Sequence, residues 1–465
     1  MRNRLVPRMT CLAVALGLLA GCTVPRVPLG DPLVRIDPQQ GYRYGTLGRT
    51  RHADDLLFIV SFSGGGVRAS AMAYGILEQL AADRIRHDGQ ETRLLDEVDI
   101  ISAVSGASVT AAYYVLHGDR LFSDFERRFL KRDVDGELQR SVLFDPRNWF
   151  RLASADYARG DLYARYFDRR LFRGATFGDL NHGGSRPFLI LNATDLGVES
   201  RFEFTQESFD PICVDLARYP LARAVAASSA VPVYTTPIAI QNRAGTCGFR
   251  MPDWVGPALA AGDHDSRLYS QAITQISYQN AGLYRYLHLA DGSLSDNLGV
   301  RAALDAITLA GGDPASLGRM LQLGKLRKIV FLTVNASGLQ TERLAWRRQP
   351  PELSEMIRML GTVPVDRYSV ESKALLRETL AEWASELAKE GRRGDLHYIQ
   401  VELDHQGDRG RYARLLGLPL SFSVEDADVD ALRCAARELL AESPEYRRLL
   451  ADLGGAEPRP LTGCR

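Results

Sequence analysis

Strand-length apolar runs alternate with helical patterns through most of the chain. Strands are predicted over Leu56–Phe62, Val98–Val104, Pro187–Ala193, Arg201–Thr205 and Lys328–Asn335. Helices are predicted over Val67–Ala82, Ala107–Leu116, Ala222–Ser228 and Val300–Ala310. Strands that alternate with helices form a mainly parallel sheet with helices on both faces. The pattern therefore predicts an α/β fold of three layers, α/β/α.

The last part of the chain has a different pattern. From Asp366 it is strongly helical, and four apolar residues recur on one helical stripe: Leu376, Leu380, Trp383 and Leu387. This helix either packs on the body or forms a lid or lipid-facing element. A strand over Leu396–Leu403 and a helix over Val424–Glu442 follow. Residues 341–465 are therefore predicted as a C-terminal extension packed on the same body.

Residues 1–21 are predicted to be a signal peptide. Three arginines precede the apolar run Cys11–Leu19, which is too short to span a bilayer as a helix. The sequence LAGC at residues 19–22 resembles the lipobox of bacterial lipoproteins, which implies cleavage before Cys22 and acylation of that cysteine. By the same resemblance, Thr23 after the cysteine favours the outer membrane. The alternative is a plain secretory signal with a chance cysteine.

Residues 22–50 contain scattered prolines and glycines, which predict an extended tether to a folded body over residues 51–340. The 465 residues are 45% hydrophobic and 25% charged, as in ordinary globular proteins. The formal net charge is zero, so no nucleic-acid or polybasic membrane-binding surface is indicated.

Four cysteines beyond the N-terminal region suit two disulfides in an exported protein. They are Cys213, Cys247, Cys434 and Cys464. Their sequence neighbourhood favours the pairs 213–247 and 434–464, with other pairings left open. The sequence contains no CxxC motif and no His/Cys cluster, so it predicts no metal site.

Ser105 lies at an abrupt change of pattern. Residues 98–115, VDIISAVSGASVTAAYYV, pass from a buried strand to a helix at this serine. Small residues stand two positions before and after it, as a nucleophile elbow requires, although Ala103 and Ala107 replace the glycines of G-x-S-x-G. Ser105 is a candidate nucleophile, and an ordinary helix N-cap is the alternative.

Three successive glycines follow the first predicted strand. They lie in SGGGVR at residues 63–68, just before a helix. Free backbone N–H groups here can converge on one point, which suits an oxyanion hole for acyl transfer. A phosphate cradle is the alternative, but the loop matches neither GxxxxGK[ST] nor GxGxxG.

Asp291 ends a later apolar stretch and is followed by Gly292. A carboxylate at a strand end, beside a glycine that permits a sharp turn, is a candidate base for Ser105. The alternative is an Asx-turn that only caps the strand.

These motifs together resemble the patatin-like phospholipase family. Gly64–Arg68 is similar to the family's GGGxR loop, Ser105 to its nucleophile and Asp291 to its catalytic aspartate, here in a DGS frame. LNATD at residues 191–195 and ASSAVP at residues 227–232 are also similar, so that the resemblance covers about residues 55–335. It implies the family's α/β/α fold with a Ser-Asp dyad.

The resemblance also implies hydrolysis of phospholipid or other lipid acyl esters without a cofactor. Ser105 would attack the ester carbonyl and Asp291 would accept its proton. The N–H groups of Gly64, Gly65 and Gly66 would hold the oxyanion.

Three roles are open for Arg68: it braces the glycine loop, meets an anionic head group or forms a structural salt bridge.

The expected substrate is membrane phospholipid at the bacterial envelope, where a lipidated Cys22 would anchor the protein. Two other functions remain open. One is a Ser-His-Asp esterase for soluble esters that uses His397 or His405, although neither histidine lies in a motif. The other is a non-catalytic envelope lipoprotein that binds lipid or a protein partner.

Overall fold

The structure is a computed structural model that describes most of the chain. The described residues are 27–45, 55–87, 89–181, 187–232, 234–310, 316, 318–319, 321, 326–337, 348–389, 391, 396–404, 409–460 and 463–464. The strands are β1 Leu56–Phe62, β2 Arg84–His87, β3 Gln90–Arg93, β4 Ile100–Val104, β5 Phe188–Asp195, β6 Ser200–Glu203, β7 Ile238–Gln241, β8 Tyr286–Asp291, β9 Lys328–Asn335 and β10 Leu396–Glu402.

Helices occupy most of the chain between the strands. Those in the first half are α1 Gly66–Ala82, α2 Gly106–His117, α3 Leu121–Phe125, α4 Val134–Phe144, α5 Pro146–Leu152, α6 Arg159–Phe167, α7 Gln206–Phe209 and α8 Leu221–Ser228. Those in the second half are α9 Val255–Ala260, α10 Arg267–Gln279, α11 Ser293–Asp296, α12 Arg301–Ala310, α13 Leu353–Lys389, α14 Arg409–Leu416, α15 Asp426–Glu442 and α16 Pro444–Asp452.

The described residues form one large sheet and a separate β2–β3 hairpin. The strand order of the large sheet is β10-β9-β1-β4-β5-β8-β7, and β6 pairs with β5. The strands from β10 to β5 run parallel, whereas β6, β7 and β8 are antiparallel to their neighbours. Every residue of β1, β4 and β5 is buried, so both faces of the sheet centre are covered. The predicted α/β fold with a mainly parallel sheet is confirmed.

The predicted elements around the sheet centre agree closely with the structure. β1 and β9 have the predicted bounds, and α1 and α2 each begin one residue before the predicted helix. The pattern gave no elements for residues 121–167 or 255–279, where the structure has α3–α6 and α9–α10. Most of these helices are short, and a short helix offers few repeats of the apolar period.

The long helix α13 begins at Leu353, well before the predicted start, and contains Pro364. The side chains of its predicted stripe are all buried: Leu376, Leu380, Trp383 and Leu387. Lys373 also binds Glu402 of β10, with Nζ–Oε2 at 3.1 Å. The stripe therefore packs on the body.

The rest of the C-terminal extension is joined to the sheet and to α1. β10 pairs with β9 at the sheet edge. α15 lies so close to α1 that a Cβ on Gly75 would come within 2.3 Å of the Arg433 carbonyl oxygen. Arg433 Nε also donates to Glu78 Oε2 at 2.7 Å.

The described part of the expected tether, residues 27–45, lies against the body and differs there from an extended linker. Tyr42 is buried and stacks on Phe188 with ring centroids 4.4 Å apart. Arg43 pairs with Asp210 at 2.6 Å. The ring and the cation supply docking contacts that the proline-rich composition does not reveal. The predicted signal peptide and Cys22 lie outside the described residues, and no helix among those described is both long and apolar enough to cross a membrane.

Two disulfides join the four cysteines as the sequence neighbourhood favours. Cys213 is bonded to Cys247, and Cys434 is bonded to Cys464. This pairing confirms the prediction. The second bond ties the chain terminus to α15.

Candidate active site

Ser105 occupies a strained backbone position between β4 and α2. Its φ is 53° and its ψ is −127°, a conformation that L-residues seldom adopt. The turn is held from outside, because the Ser105 N–H donates to Ser228 Oγ at 3.0 Å. The Ser105 side chain makes no capping bond to α2, so the hydroxyl does not act as an ordinary N-cap.

The sheet register brings Ser105 and Asp291 to the same level. Val104 of β4 is paired with Asn192 of β5, and the next residue of β5, Ala193, is paired with Asp291 of β8. Ser105 and Asp291 therefore flank β5 from opposite sides. The Ser105 hydroxyl donates to Asp291 Oδ2 at 2.6 Å, and both residues are buried.

The second oxygen of the Asp291 carboxylate is also fixed. Oδ1 accepts the Ser293 N–H at 2.8 Å, so the carboxylate forms an Asx-turn as well as contacting Ser105. Thr194 Oγ1 donates to the Asp291 carbonyl oxygen at 2.9 Å. Burial raises the pKa of Asp291, and the hydrogen bonds from Ser105 and Ser293 oppose that rise. The result is a preoriented carboxylate with increased basicity.

The glycine loop packs directly against the elbow. A Cβ on Gly64 would lie 3.2 Å from Ser105 Cβ, and one on Gly106 would collide with the Gly66 carbonyl oxygen. The Gly64 N–H already donates to the Asn297 carbonyl oxygen at 3.0 Å, so the prediction of Gly64 as an oxyanion donor is corrected. Within the described residues, the N–H groups of Gly65 and Gly66 have no acceptor.

Arg68 is buried and braces the loop through main-chain carbonyls. Its Nε donates to the Ala336 carbonyl oxygen at 2.5 Å and its Nη1 to that of Leu418 at 2.9 Å. Burial lowers the pKa of Arg68 to about 10, and Asp366 opposes this shift. Of the three roles considered for Arg68, these contacts support loop bracing.

The two alanines of the elbow fit without separating Ser105 from its partner. Ala103 and Ala107 are fully buried, and the Ser105–Asp291 hydrogen bond is short. Helix α2 lies close to α1, as shown by the hydrogen bond that Ser70 Oγ donates to the Gly106 carbonyl oxygen, and both of these residues are small. The site therefore tolerates methyl groups where the G-x-S-x-G pattern has glycines.

Two positioning residues were not singled out from the sequence. Ser228 binds the Ser105 N–H through its hydroxyl and the Gly292 N–H through its carbonyl, at 3.0 and 3.2 Å. Asn297 holds Gly64, and its side chain donates to Ser337 Oγ at 3.0 Å. The only sequence signal for Ser228 is its place in the similar block ASSAVP, and that for Asn297 is its place in DNLG at residues 296–299, which is also similar to the family.

His397 is far from Ser105. In the sheet, His397 is paired with Val330 of β9, and Val330 is paired with Phe58 of β1. The register of β1 with β4 places Phe58 beside Asp99, the residue just before β4. Ser105 lies six residues further along, about 20 Å along the strands and about 14 Å across them. His397 Nδ1 instead lies 3.0 Å from Glu445 Oε1. His405 lies outside the described residues.

Comparison with known proteins gives a family for this site. The family model described as patatin-like phospholipase matches residues 60–304, just over half of the 465-residue chain. No curated protein matches the sequence at a significant level.

Solved structures similar to the chain include that of human GIVD cytosolic phospholipase A2. It has 13% identity and a TM-score of 0.36, with 71% of this chain and 56% of that chain covered. The same human protein in complex with methyl gamma-linolenyl fluorophosphonate has 14% identity and a TM-score of 0.32, with 65% of this chain and 45% of that chain covered. The chain thus spans about half the length of these structures. From the match of the family model, the chain belongs to the patatin-like phospholipase family.

Proposed function

We propose that the protein is a serine acyl hydrolase that cleaves phospholipid or other lipid acyl esters with a Ser-Asp dyad. One observation carries the proposal: the Ser105 hydroxyl donates to Asp291 Oδ2 at 2.6 Å while Ser293 fixes the other carboxylate oxygen. A hydroxyl paired with a buried, oriented base is the arrangement that nucleophilic catalysis requires.

The proposed reaction has two halves. In the first, Asp291 accepts the Ser105 proton as Oγ bonds to the ester carbonyl carbon, and the N–H groups of Gly65 and Gly66 stabilise the oxyanion. The carbon–oxygen bond to the leaving group then breaks, and that oxygen takes the proton from Asp291. In the second half, water attacks the acyl-enzyme and gives its proton to Asp291. The bond between the acyl carbon and Ser105 Oγ then breaks, Oγ takes the proton back from Asp291, and the fatty acid leaves.

The loop geometry suits this division of labour. A serine hydroxyl is much less acidic than a carboxyl, so Asp291 alone leaves most of the barrier in place. Preoriented amides that bind the developing negative charge lower the rest. Arg68 and Asn297 hold the loop but point their hydrogen bonds at the protein, so we assign them positioning roles.

We further propose that the protein acts at the bacterial envelope, anchored through an acylated Cys22. The lipobox resemblance at residues 19–22 supports acylation, and the two disulfides suit an exported protein. We assign residues 51–340 to the catalytic domain and residues 341–465 to an extension that completes it. Metabolic labelling with a fatty acid tests the anchor: Cys22→Ala should abolish the label.

The central experiment compares hydrolysis of phospholipids and short p-nitrophenyl esters by the unmodified protein, Ser105→Ala and Asp291→Asn. Each substitution should lower the rate at least about 10³-fold. Ser123→Ala and Asp119→Asn are matched controls on exposed residues and should retain full activity. Preserved circular dichroism would show that the fold is intact.

Two outcomes would favour the other functions. If the unmodified protein hydrolyses no ester and a fluorophosphonate probe does not label Ser105, the protein is a binding lipoprotein. If His405→Ala abolishes turnover, a histidine completes the site and the dyad is wrong. The distant position of His397 predicts a normal rate for His397→Ala.

A further inference from the structure

A helical corner exposes four large apolar side chains. Helix α4 ends at Phe144 and α5 begins at Pro146. Around this turn the exposed fractions are 63% for Leu143, 78% for Phe144, 55% for Trp149 and 63% for Phe150. Four such residues within eight positions form a concentrated apolar surface, which soluble proteins seldom leave uncovered without a binding role.

Internal hydrogen bonds hold the corner in shape. Asp145 Oδ1 accepts the Arg147 N–H at 3.0 Å, and Asn148 Nδ2 donates to the Ser141 carbonyl oxygen at 2.9 Å. The Trp149 indole N–H donates to the Val142 carbonyl oxygen. These hydrogen bonds satisfy the Asn148 amide and the Trp149 indole N–H, which lowers the desolvation cost of placing the corner in an apolar environment.

Cationic side chains accompany the apolar ones. Arg147 and Arg151 lie on α5, Arg165 lies on α6 and Arg169 follows the end of α6. Within the described residues, no ion pair joins these four arginines to a carboxylate. Burial lowers the pKa of Arg165, and repulsion from Arg169 and Arg151 lowers it further. Arginines that repel one another favour an anionic partner.

We infer that this corner, residues 143–150 with Arg147, Arg151, Arg165 and Arg169, docks on the surface of an anionic phospholipid bilayer. The inference rests on the proposed function, because a bilayer bound at the corner would be the source of the lipid substrate. Aromatic and leucine side chains beside arginines are the composition of elements that lie in the membrane interface. A second copy of this chain would place the same arginines against each other, which disfavours self-association.

The corner is connected to the glycine loop. Asp135 at the start of α4 accepts hydrogen bonds from Ser421 Oγ at 2.7 Å and Phe422 N at 3.0 Å. The Ser421 carbonyl oxygen in turn accepts the Val67 N–H at 2.8 Å, in the first turn after the glycines. Helix α4 rises about 15 Å from this junction to the corner. The helix that carries the corner is therefore joined at its other end to the segment that contacts the glycine loop.

Vesicle sedimentation tests the inference. The full chain carrying Cys22→Ala and Ser105→Ala, which can be neither acylated nor consume the lipid, is mixed with phosphatidylglycerol or phosphatidylcholine vesicles. Phe144→Ser with Phe150→Ser should weaken binding to phosphatidylglycerol about tenfold or more, because two aromatic side chains no longer enter the interface. Val34→Ser with Leu283→Ser alters two exposed apolar residues outside the corner and should change this binding less than twofold.

Arg147→Gln with Arg169→Gln should remove the preference for phosphatidylglycerol and the salt dependence of binding. Equal binding of all variants to both vesicles, or no vesicle binding at all, overturns the inference and leaves a protein partner as the occupant. Turnover of a short soluble ester, measured with Ser105 intact, should be unchanged in the corner variants. If that turnover is absent in the unmodified protein, the proposed function fails while the vesicle result still stands.

Discussion

A methyl group on Gly64 should disable the site without unfolding the protein. Gly64 does not have a left-handed φ, so alanine is compatible with its backbone. Its Cβ would lie 2.2 Å from Ser293 Oγ, 2.8 Å from Asn297 Oδ1 and 3.2 Å from Ser105 Cβ. All three neighbours belong to the site: Ser293 orients the Asp291 carboxylate, and Asn297 holds the glycine loop.

The expected loss follows from these distances. To bring the added Cβ and Ser293 Oγ to an ordinary contact distance of about 3.4 Å, the Gly64 loop and Ser293 must separate by about 1 Å. A displacement of that size can lower a rate about 10²-fold. We therefore expect Gly64→Ala to reduce kcat for a short p-nitrophenyl ester about 10²-fold. The free energy of unfolding should fall by about 1–3 kcal/mol, as for other overpacked sites. Steady-state kinetics and urea denaturation measure the two effects.

Two further variants make the reasoning refutable. Gly256→Ala in α9 adds the same methyl group where, apart from its chain neighbours and the backbone of its own helix, no atom lies within 4 Å, so it should leave the rate unchanged. Adding Ser293→Gly to Gly64→Ala removes the nearest clash and should restore part of the rate. If Gly64→Ala keeps full activity, the glycine loop does not pack against Ser105 and Ser293 as described.

Four other results are expected. Asp291 must be ionised to accept a proton and burial raises its pKa, so kcat/KM for a neutral ester should fall as pH drops through a midpoint above 3.8. Burial raises the pKa of Asp296 from 3.8 to about 6. Between these two pH values the folded state holds a proton that the unfolded state has lost, so the free energy of unfolding should fall by at most about 3 kcal/mol as pH rises from 3.8 to about 6. Asp296→Asn should remove this slope from urea denaturation curves. Replacing both Cys434 and Cys464 by serine opens a crosslink across 30 residues and should cost about 3–4 kcal/mol of unfolding free energy. His397→Gln should lower stability by about 1–3 kcal/mol through loss of a buried polar contact, with ester turnover unchanged.

Each of these results has a contradicting outcome, and for His397→Gln it is a loss of ester turnover. A flat pH–rate profile down to pH 3.8 would show that Asp291 is not the base. An unchanged pH dependence of stability in Asp296→Asn would assign the slope to another carboxyl. Equal denaturation midpoints with and without the Cys434–Cys464 bond would mean that the terminus is held by packing alone.

Some structural features were visible in the sequence because they depend on neighbouring residues. Buried parallel strands are continuous apolar runs, which is why β1 and β9 have the predicted bounds. The small residues around Ser105 and the glycines after β1 mark tight turns, since larger side chains do not fit there. The short helices α3 to α6 offer few repeats of the apolar period, and the docking of Tyr42 depends on Phe188, which is distant in the chain, so neither carries a comparable local signal.

The sequence by itself determined the α/β fold, the sharp strand-to-helix turn at Ser105 and the chemistry of a hydroxyl, a carboxylate and free amides. Only the tertiary structure decided that Ser105 and Asp291, 186 residues apart, share a hydrogen bond, because that depends on the register of β4 and β8 on either side of β5. It also decided that the Gly64 amide is used by Asn297. Sequence spacing does not give the distance between positions as far apart in the chain as Ser105 and Asp291, whereas strand pairing fixes that distance.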